Sequence, residues 1–217
     1  MALNINGTTG ISGVDGSVSA PALTGTDSNT GITFPSADTI KFSTGGVERM
    51  SITNSGITGV SGGLYASYAL LADIKANTVA GGGTLTSGDW RTRDLNTELH
   101  DADGIVSLSS NQFTLQAGTY RITATTPSYR ADRHQAALYN VTDSSYVQFG
   151  PVAYTLNSEN VTNESFLRTR FTISGAKVFE IRHRLQSSVT TYGGGVGLAS
   201  YWTGSSIFTV VEIFKEN

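Results

Sequence analysis

The sequence predicts an all-β protein, and three observations carry that prediction. Apolar residues alternate with polar ones at a period of two in many short runs, which is the pattern of strands with one buried face. Only 14% of the 217 residues are charged and 25 are glycine, a composition that suits strands joined by tight turns. Turn-forming residues separate the runs at regular intervals, as they do in a β-sandwich.

The first 63 residues form a region of their own, with 12 of the 25 glycines and only six charged residues. Its apolar residues come in spaced pairs, Ile32/Phe34, Ile40/Phe42 and Met50/Ile52. One copy has too few large side chains to offset about 1–2 kcal/mol of backbone entropy per residue. The region is therefore either a disordered linker or a stalk in which three chains bury these pairs against each other. The first two pairs repeat at a spacing of eight, which favours the stalk for residues 31–63.

Residues 64–217 are expected to form one β-sandwich of two sheets, with four or five strands in each. The segment from Tyr65 to Lys75 is apolar, and its Ala and Leu content alone favours a short helix. From Thr84 onward the strand candidates are Ile105–Leu108, Phe113–Leu115, Thr119–Thr126, Gln135–Val141, Tyr146–Phe149, Val152–Leu156, Ser165–Ile173, Lys177–Gln186 and Ile207–Phe214.

The last of these strands is apolar on both faces. Ile207, Thr209, Val211 and Ile213 alternate with Phe208, Val210, Glu212 and Phe214. A strand that is apolar on both faces is covered on both faces. We expect the first set to fill the sandwich and the second to meet neighbouring subunits, the alternative being a loop of the same chain.

Three segments resemble a known family. F-T-L-Q-A-G-T-Y-R-I, from Phe113 to Ile122, is similar to the central strand pair of the tumour-necrosis-factor-like jelly roll, which also forms complement-type heads and many phage fibre tips. Residues 37–56 resemble a segment frequent in phage fibre proteins, A-D-T-I-x-F-S-T-G-G-x-x-R-M-x-I. W-R-T-R-D-L-N-T, from Trp90, resembles a loop of phage fibre heads, in which the Arg-Asp spacing suggests ion-paired packing near a subunit boundary.

The resemblance implies a homotrimeric phage tail-fibre or fibre-head protein located in the virion after assembly in the host cytoplasm. Residues 64–217 would be a jelly-roll head that begins with a strand at 65–75 instead of a helix. Residues 31–63 would be the intertwined stalk, and residues 1–30 a flexible segment or an attachment to other virion proteins. The trimer interface would comprise Ile32, Phe34, Ile40, Phe42, Phe208, Val210 and Phe214.

Composition argues against several other classes of protein. The net charge of −3 gives no basic field for nucleic acid. The chain has no cysteine, which excludes disulfides, thiolate metal sites and cysteine catalysis. No segment approaches the ~20 apolar residues of a membrane span, and the first residues lack the features of a secretory signal.

The sequence gives only weak signals of catalytic groups. Residues 84–103 hold five acidic side chains, Asp89, Asp94, Glu98, Asp101 and Asp103. A glycosidase needs two carboxyl groups across a cleft, whereas acidic loops are usually solvated. A calcium loop starting at Asp101 would need acidic ligands where Ile105 and Gln112 stand.

The three histidines have no metal-ligand spacing to one another. His183 lies on the apolar face of its strand and is expected to be buried, and His134 is expected on a surface loop. We predict no enzyme activity, no cofactor and no metal.

Receptor contacts are expected on loops, from aromatic and arginine side chains that give rigid contact area with polar edges. The candidates are Tyr129, Arg130, Arg133, His134, Tyr192, Tyr201 and Trp202, the last two being equally compatible with packing at the rim of the sandwich. The predicted function is attachment to a host surface glycan or protein through loops of the distal head. A decoration protein without receptor binding and a surface-polysaccharide depolymerase are the alternatives.

Overall fold

The computed structural model describes residues 4–6, 10–12, 15–59, 65–81, 86–188, 197 and 204–216. The chain divides into two compact units, Met1–Gly63 and Leu64–Asn217. Among the described residues, none lies in a helix long and apolar enough to cross a membrane.

The first unit consists of short antiparallel strands. Two pairs, β1 with β2 and β3 with β4, precede a five-stranded meander in the order β5 to β9. Its strands are β1 (Asn4–Asn6), β2 (Gly10–Ser12), β3 (Gly16–Ser17), β4 (Ala20–Pro21), β5 (Leu23–Thr24), β6 (Gly31–Thr33), β7 (Ile40–Thr44), β8 (Val47–Thr53) and β9 (Gly56–Thr58). Gly45 and Gly46 join β7 to β8 with φ values of 60° and 73°, because a two-residue hairpin turn of type I′ needs positive φ at both positions.

The meander places its large apolar side chains on one face, which the other described residues of the unit cover only in part. Ile32 pairs with Phe42, which pairs with Met50, and Ile40 pairs with Ile52. All five side chains are half-buried, and Phe34 beyond the end of β6 is exposed. Within residues 15–59 the buried side chains are small and polar, namely Thr33, Ser43 and Ser51. One copy of the unit thus has no buried apolar core among these residues.

The second unit is a sandwich of two antiparallel sheets. Its strands are β10 (Tyr65–Lys75), β11 (Arg91–Thr92), β12 (Thr97–Asp101), β13 (Val106–Ser109), β14 (Gln112–Leu115), β15 (Gly118–Tyr129), β16 (Asp132–Asn140), β17 (Ser145–Phe149), β18 (Ala153–Thr155), β19 (Thr162–Ile173), β20 (Lys177–Leu185) and β21 (Ser206–Glu216). The first sheet has the order β12-β10-β21-β15-β19 and the second β13-β14-β20-β16-β17, with β11 beside β20 and β18 beside β16. Because the chain crosses repeatedly between the two sheets, this is a jelly-roll sandwich. The strand predicted at 65–75 is confirmed.

The core lies between the two sheets. The alternating pairs Phe113/Leu115 and Tyr120/Ile122 are fully buried, as their pattern predicts. The ring of Phe113 lies 5.8 Å from that of Phe179 on β20. These strands pack tightly because aromatic and branched side chains from both sheets interdigitate.

The two ends of the sandwich are distinct. We call the end of the sandwich where β10 begins the proximal end. There Tyr65 pairs with Glu216 at the end of β21. We call the opposite end, where β10 finishes, the distal end. There Lys75 pairs with Ser206 at the start of β21. The polypeptide therefore enters the head at its proximal end, and β16 begins at the distal end.

The structure corrects the predicted faces of β21 near its start. Asp73 of β10 lies opposite both Phe208 and Thr209, since the register shifts between Ala72 and Ile74. This bulge buries Phe208 and Thr209 together and leaves Ile207 56% exposed. Phe208 packs against Gly81 and Gly197 of its own chain, with no room for a Cβ atom at either glycine. Phe208 is therefore covered by its own chain, and its assignment to a trimer interface is wrong.

Candidate ligand-binding site

A surface cavity of about 400 Å³ lies at the distal end of the head, where β16 begins and β20 ends. It forms because His134 pairs with Leu185 and Gln135 pairs with Arg184 across these two strands. Its wall comprises Gly88, Arg133, His134, Gln135, Val152, Arg184, Leu185 and Gln186.

The wall carries two cations and no acidic residue among the residues that line it. Arg133 donates from Nη1 to the neutral Oε1 of Gln186, 3.0 Å away. Arg184 is exposed and diagonal to Arg133 across the ladder, a position about 7–8 Å away in an antiparallel pair. Since the whole chain has a net charge of −3, this is a local concentration of positive charge.

An aromatic group adjoins the cavity. The ring of Trp90 lies 5.4 Å from the rings of Tyr146 and Phe149, and Phe149 is 45% exposed. The chain around Trp90 runs along the end of β20, because Gly88 donates to the carbonyl of Leu185 and Arg91 pairs with His183. The group Trp90, Tyr146 and Phe149 therefore offers apolar ring surface beside two guanidinium groups.

A chain of buried polar side chains leads from the sandwich interior to the cavity wall. Arg93 is fully buried and donates from Nε to Oγ1 of Thr209 and from Nη1 to the carbonyl of Pro127. The same Nη1 lies 3.4 Å from Nδ1 of His183, and Nε2 of His183 lies 3.0 Å from Nδ1 of His134. We call Arg93, His183 and His134 the buried relay.

The donor and acceptor roles in this relay follow from Arg93, which has only donors. Nδ1 of neutral His183 must accept, so its proton is on Nε2 and is donated to Nδ1 of His134. Neutral His134 then carries its proton on Nε2, and that buried atom has no hydrogen-bond partner among the described residues. Within the described part of the chain the relay therefore ends in a buried N–H group without an acceptor.

Burial keeps both histidines neutral. It lowers the pKa of His134 to about 4, with a smaller contribution from the positive charge of Arg93. Burial likewise lowers the pKa of His183 well below its usual 6.5, reinforced by Arg93 and His134. The pKa of Arg93 is itself lowered by burial to about 10, against the opposing effect of Asp73 and Asp94, so its side chain remains a cation at neutral pH.

The predicted receptor-contact residues are placed very differently by the structure. Arg133 lines the cavity, and Arg130 is half-buried and donates from Nε to the carbonyl of Asn157. Tyr129 is only 2% exposed and donates its hydroxyl to Oδ1 of Asn160, so it packs in the head and is not a loop contact. The prediction of a surface loop at His134 is wrong, because the residue lies within β16 and is 1% exposed.

Three further candidates, Tyr192, Tyr201 and Trp202, lie outside the described residues. Of the predicted interface residues, Val210 and Phe214 are half-buried on the outer face of the first sheet.

Three of the five acidic residues between Thr84 and Asp103 have structural contacts. Asp94 pairs with Lys75 at 2.6 Å, and Asp89 with Arg91 at 3.4 Å. Both carboxylate oxygens of Asp101 accept from the backbone N–H groups of Ile105 and Val106, which fixes the turn before β13. Among the described residues no cluster of three or more His, Asp or Glu side chains could hold a metal ion.

Sequence reasoning missed most of the cavity wall. Arg184 did carry a signal, because it stands on the polar face of the alternating strand Lys177–Leu185. Trp90 and Arg93 are predicted from the sequence only as parts of the motif W-R-T-R-D-L-N-T, without a role at a site. Arg93 is buried between the sheets, where it contacts Thr209, the carbonyl of Pro127 and His183. The suggested ion-paired packing of this loop near a subunit boundary stays a prediction.

The sheet order and the distal cavity define the class of protein as a jelly-roll β-sandwich head. No protein-family model matches the chain, and no curated protein matches it. Among solved structures it is similar to murine APRIL at pH 8.0, with 7% identity over 69% of this chain and 98% of that chain and a TM-score of 0.44. It is also similar to the globular domain of zebrafish complement 1qA, with 14% identity, 67% and 95% coverage and a TM-score of 0.42. A third is the Eiger TNF of S. frugiperda, with 9% identity, 70% and 92% coverage and a TM-score of 0.43.

Proposed function

We propose that this protein is a homotrimeric virion fibre protein that attaches to the host cell surface through the distal end of its head. Residues 1–30 would join other virion proteins, and residues 31–63 would form the stalk. The observation that carries the proposal is the position of the cavity, at the end of the head opposite the point where the chain enters it. The phage assignment rests on the motifs at residues 37–56 and 90–97.

Self-association is supported by uncovered apolar surface on the head. On the outer face of the first sheet, the ring of Phe214 lies 4.9 Å from that of Tyr65 and 5.0 Å from that of Tyr68. Val210 is half-buried on the same face, and Phe166 of β19 is 46% exposed. Exposed apolar side chains on one sheet face favour an interaction site, and a ring of three copies would cover them.

The stalk gives a second, independent argument. The apolar face of the meander, with Ile32, Phe42 and Ile40, is half-exposed in a single copy. Its other face already buries Thr33 and Ser43. Packing the apolar faces of three chains together would supply the core that one copy lacks.

Trimer formation is tested by sedimentation equilibrium of the full chain at micromolar concentration. We expect a mass three times that of the 22.9 kDa chain, and we expect Phe214→Glu to dissociate the head contact. Leu156→Glu makes the same change of polarity at a residue that is 42% exposed and not on that face, so it should leave the mass unchanged. A stably folded monomer would refute the proposal.

Attachment is tested by adsorbing the fluorescent trimer to a panel of bacterial strains and by immunolabelling purified virions. We expect cell binding by the trimer and label at the tip of a fibre. Label spread over capsid faces without cell binding would identify a decoration protein instead. We also propose that the protein is not an enzyme, and release of reducing sugar from host envelope polysaccharide would overturn that statement.

A further inference from the structure

We infer that the distal cavity binds an acidic saccharide, with the anionic group held by Arg133 and Arg184 and the sugar ring against the aromatic group of Trp90, Tyr146 and Phe149. This inference rests on the proposed function, because it names the chemistry of the receptor that the head would recognise. The anionic group is an oxyanion, either the carboxylate of a uronic or related acid or the phosphate of a phosphorylated sugar.

The first argument is the state of the two guanidinium groups. Neither Arg133 nor Arg184 has a carboxylate partner among the described residues. Arg133 donates one N–H to the neutral side-chain amide of Gln186. Some other basic side chains of the head do have acidic partners, such as Arg170 with Glu216 and Lys177 with Asp143. Two unpaired guanidinium groups on one cavity wall give the planar, multiple-donor geometry that binds carboxylate and phosphate.

The second argument is the aromatic group, which lies next to these cations. Its rings are already packed on each other at 4.8–5.4 Å, so they are held in place before any ligand binds. Rigid aromatic surface with low entropy cost suits the apolar face of a sugar ring. The neighbouring Arg182 is neutralised by Glu180 at 2.6 Å and stacked 3.3 Å from the ring of Tyr139, so it supports the platform and leaves the anion to Arg184.

The third argument is the charge of the cavity wall. Arg133 and Arg184 are exposed on the outer face of the second sheet, whereas the side chain of His134, between Arg133 and Gln135, is buried on the opposite face. Among the described residues that line the cavity none is acidic. These wall residues thus offer guanidinium donors and no carboxylate that would repel an anion.

The inference is tested by saturation-transfer NMR and calorimetric titration of the full chain with glucuronate, glucose 6-phosphate and glucose. We expect saturation transfer to the ring protons of at least one of the two anions and none to glucose at the same concentration. Binding of glucuronate alone identifies a carboxylate receptor, binding of glucose 6-phosphate alone a phosphate receptor, and binding of both the shared oxyanion. Equal binding of all three sugars, or of none, overturns the inference.

Variants locate the site. Arg184→Gln should raise the dissociation constant about tenfold or more, as expected for losing a charge-assisted hydrogen bond, and Arg133→Gln provides a second variant if the first fails to fold. Arg49→Gln makes the same charge change in the first unit, on a residue that does not line the cavity, and should bind like the unaltered protein. Equal losses in Arg184→Gln and Arg49→Gln would show a general charge effect and refute the site.

The failure of this inference can be distinguished from failure of the proposed function. If the unaltered protein and Arg184→Gln adsorb equally to host cells, the function stands and the acidic-saccharide site falls. If the protein binds glucuronate or glucose 6-phosphate in solution but adsorbs to no cells, the site stands and the attachment function falls.

Discussion

The buried relay predicts that the head loses stability as the pH falls. The perturbation is acidification, and the groups concerned are His134 and His183, which face each other and the guanidinium of Arg93. Folding lowers the pKa of His134 from its ordinary 6.5 to about 4, while the unfolded chain keeps the ordinary value. Above about pH 7 both states are neutral and no stability is gained or lost. Below about pH 7, the unfolded state binds a proton on His134 while the folded state stays neutral there, so acidification favours unfolding.

The magnitude follows from the two pKa values of His134. Between about pH 7.5 and about pH 5, linkage gives a loss of about 2 kcal/mol from this residue, and the loss reaches about 3 kcal/mol near pH 4. The lowered pKa of His183 acts in the same direction. Denaturant unfolding of the full chain at fixed concentration, repeated across this pH range, measures the loss.

The matched variant is His134→Gln, which removes the titrating group and keeps a polar side chain. We expect its stability to fall less between about pH 7.5 and about pH 5 than that of the unaltered protein, by up to about 2 kcal/mol. Since carboxylates titrate in both proteins, the difference isolates His134. If the two proteins lose stability in parallel, or if the unaltered protein gains stability on acidification, the reasoning about the relay is wrong.

Three further perturbations test the interior of the head. Arg93→Ala should lower the free energy of unfolding by about 3–5 kcal/mol in chemical denaturation, because it removes the donor to buried partners, whereas Arg91→Ala, on an exposed side chain, should change it by no more than about 0.5 kcal/mol. Phe113→Ala should lower the free energy of unfolding by about 3–5 kcal/mol, since the ring is fully buried. A smaller loss would show that neighbouring side chains fill the space that the ring leaves. Gly118→Ala should cost about 1–3 kcal/mol because φ is 155° there, and Gly175→Ala, with open space at its Cβ position, is the control whose thermal midpoint should not fall comparably.

The alternation of apolar and polar residues predicted the buried face of a strand correctly where the strand has no bulge. The pattern from Lys177 to Gln186 predicted a strand with Phe179, Ile181, His183 and Leu185 buried, and β20 has that structure. The same period-two rule failed at Phe208, because a bulge is set by the partner strand and not by the sequence of β21 itself. The local pattern around Asp73 carries no mark of that register shift.

The cavity was beyond local pattern for a different reason. It exists because His134 pairs with Leu185, and the three strands β17, β18 and β19 separate these two residues in the sequence. Reading Tyr129 to His134 as one loop placed a buried tyrosine and a buried histidine on the surface. The chain turns there through Arg130 and Asp132, both at positive φ, and only the pairing of β16 with β20 decides which of these side chains faces the cavity.

The proposed trimer and the proposed ligand site depend on each other through affinity. A surface cavity with two cations and one aromatic platform makes few contacts, so a single site would bind a monosaccharide weakly. Three copies joined at the outer face of the first sheet, around Phe214, would carry three cavities on one particle. Binding of the first site would raise the effective concentration of the other two at a polymeric receptor, increasing overall affinity by factors of about 10²–10⁴ without new contacts. Phe214→Glu should therefore abolish adsorption to cells while leaving the binding of a monosaccharide at Arg184 unchanged, a separation that no single-site model predicts.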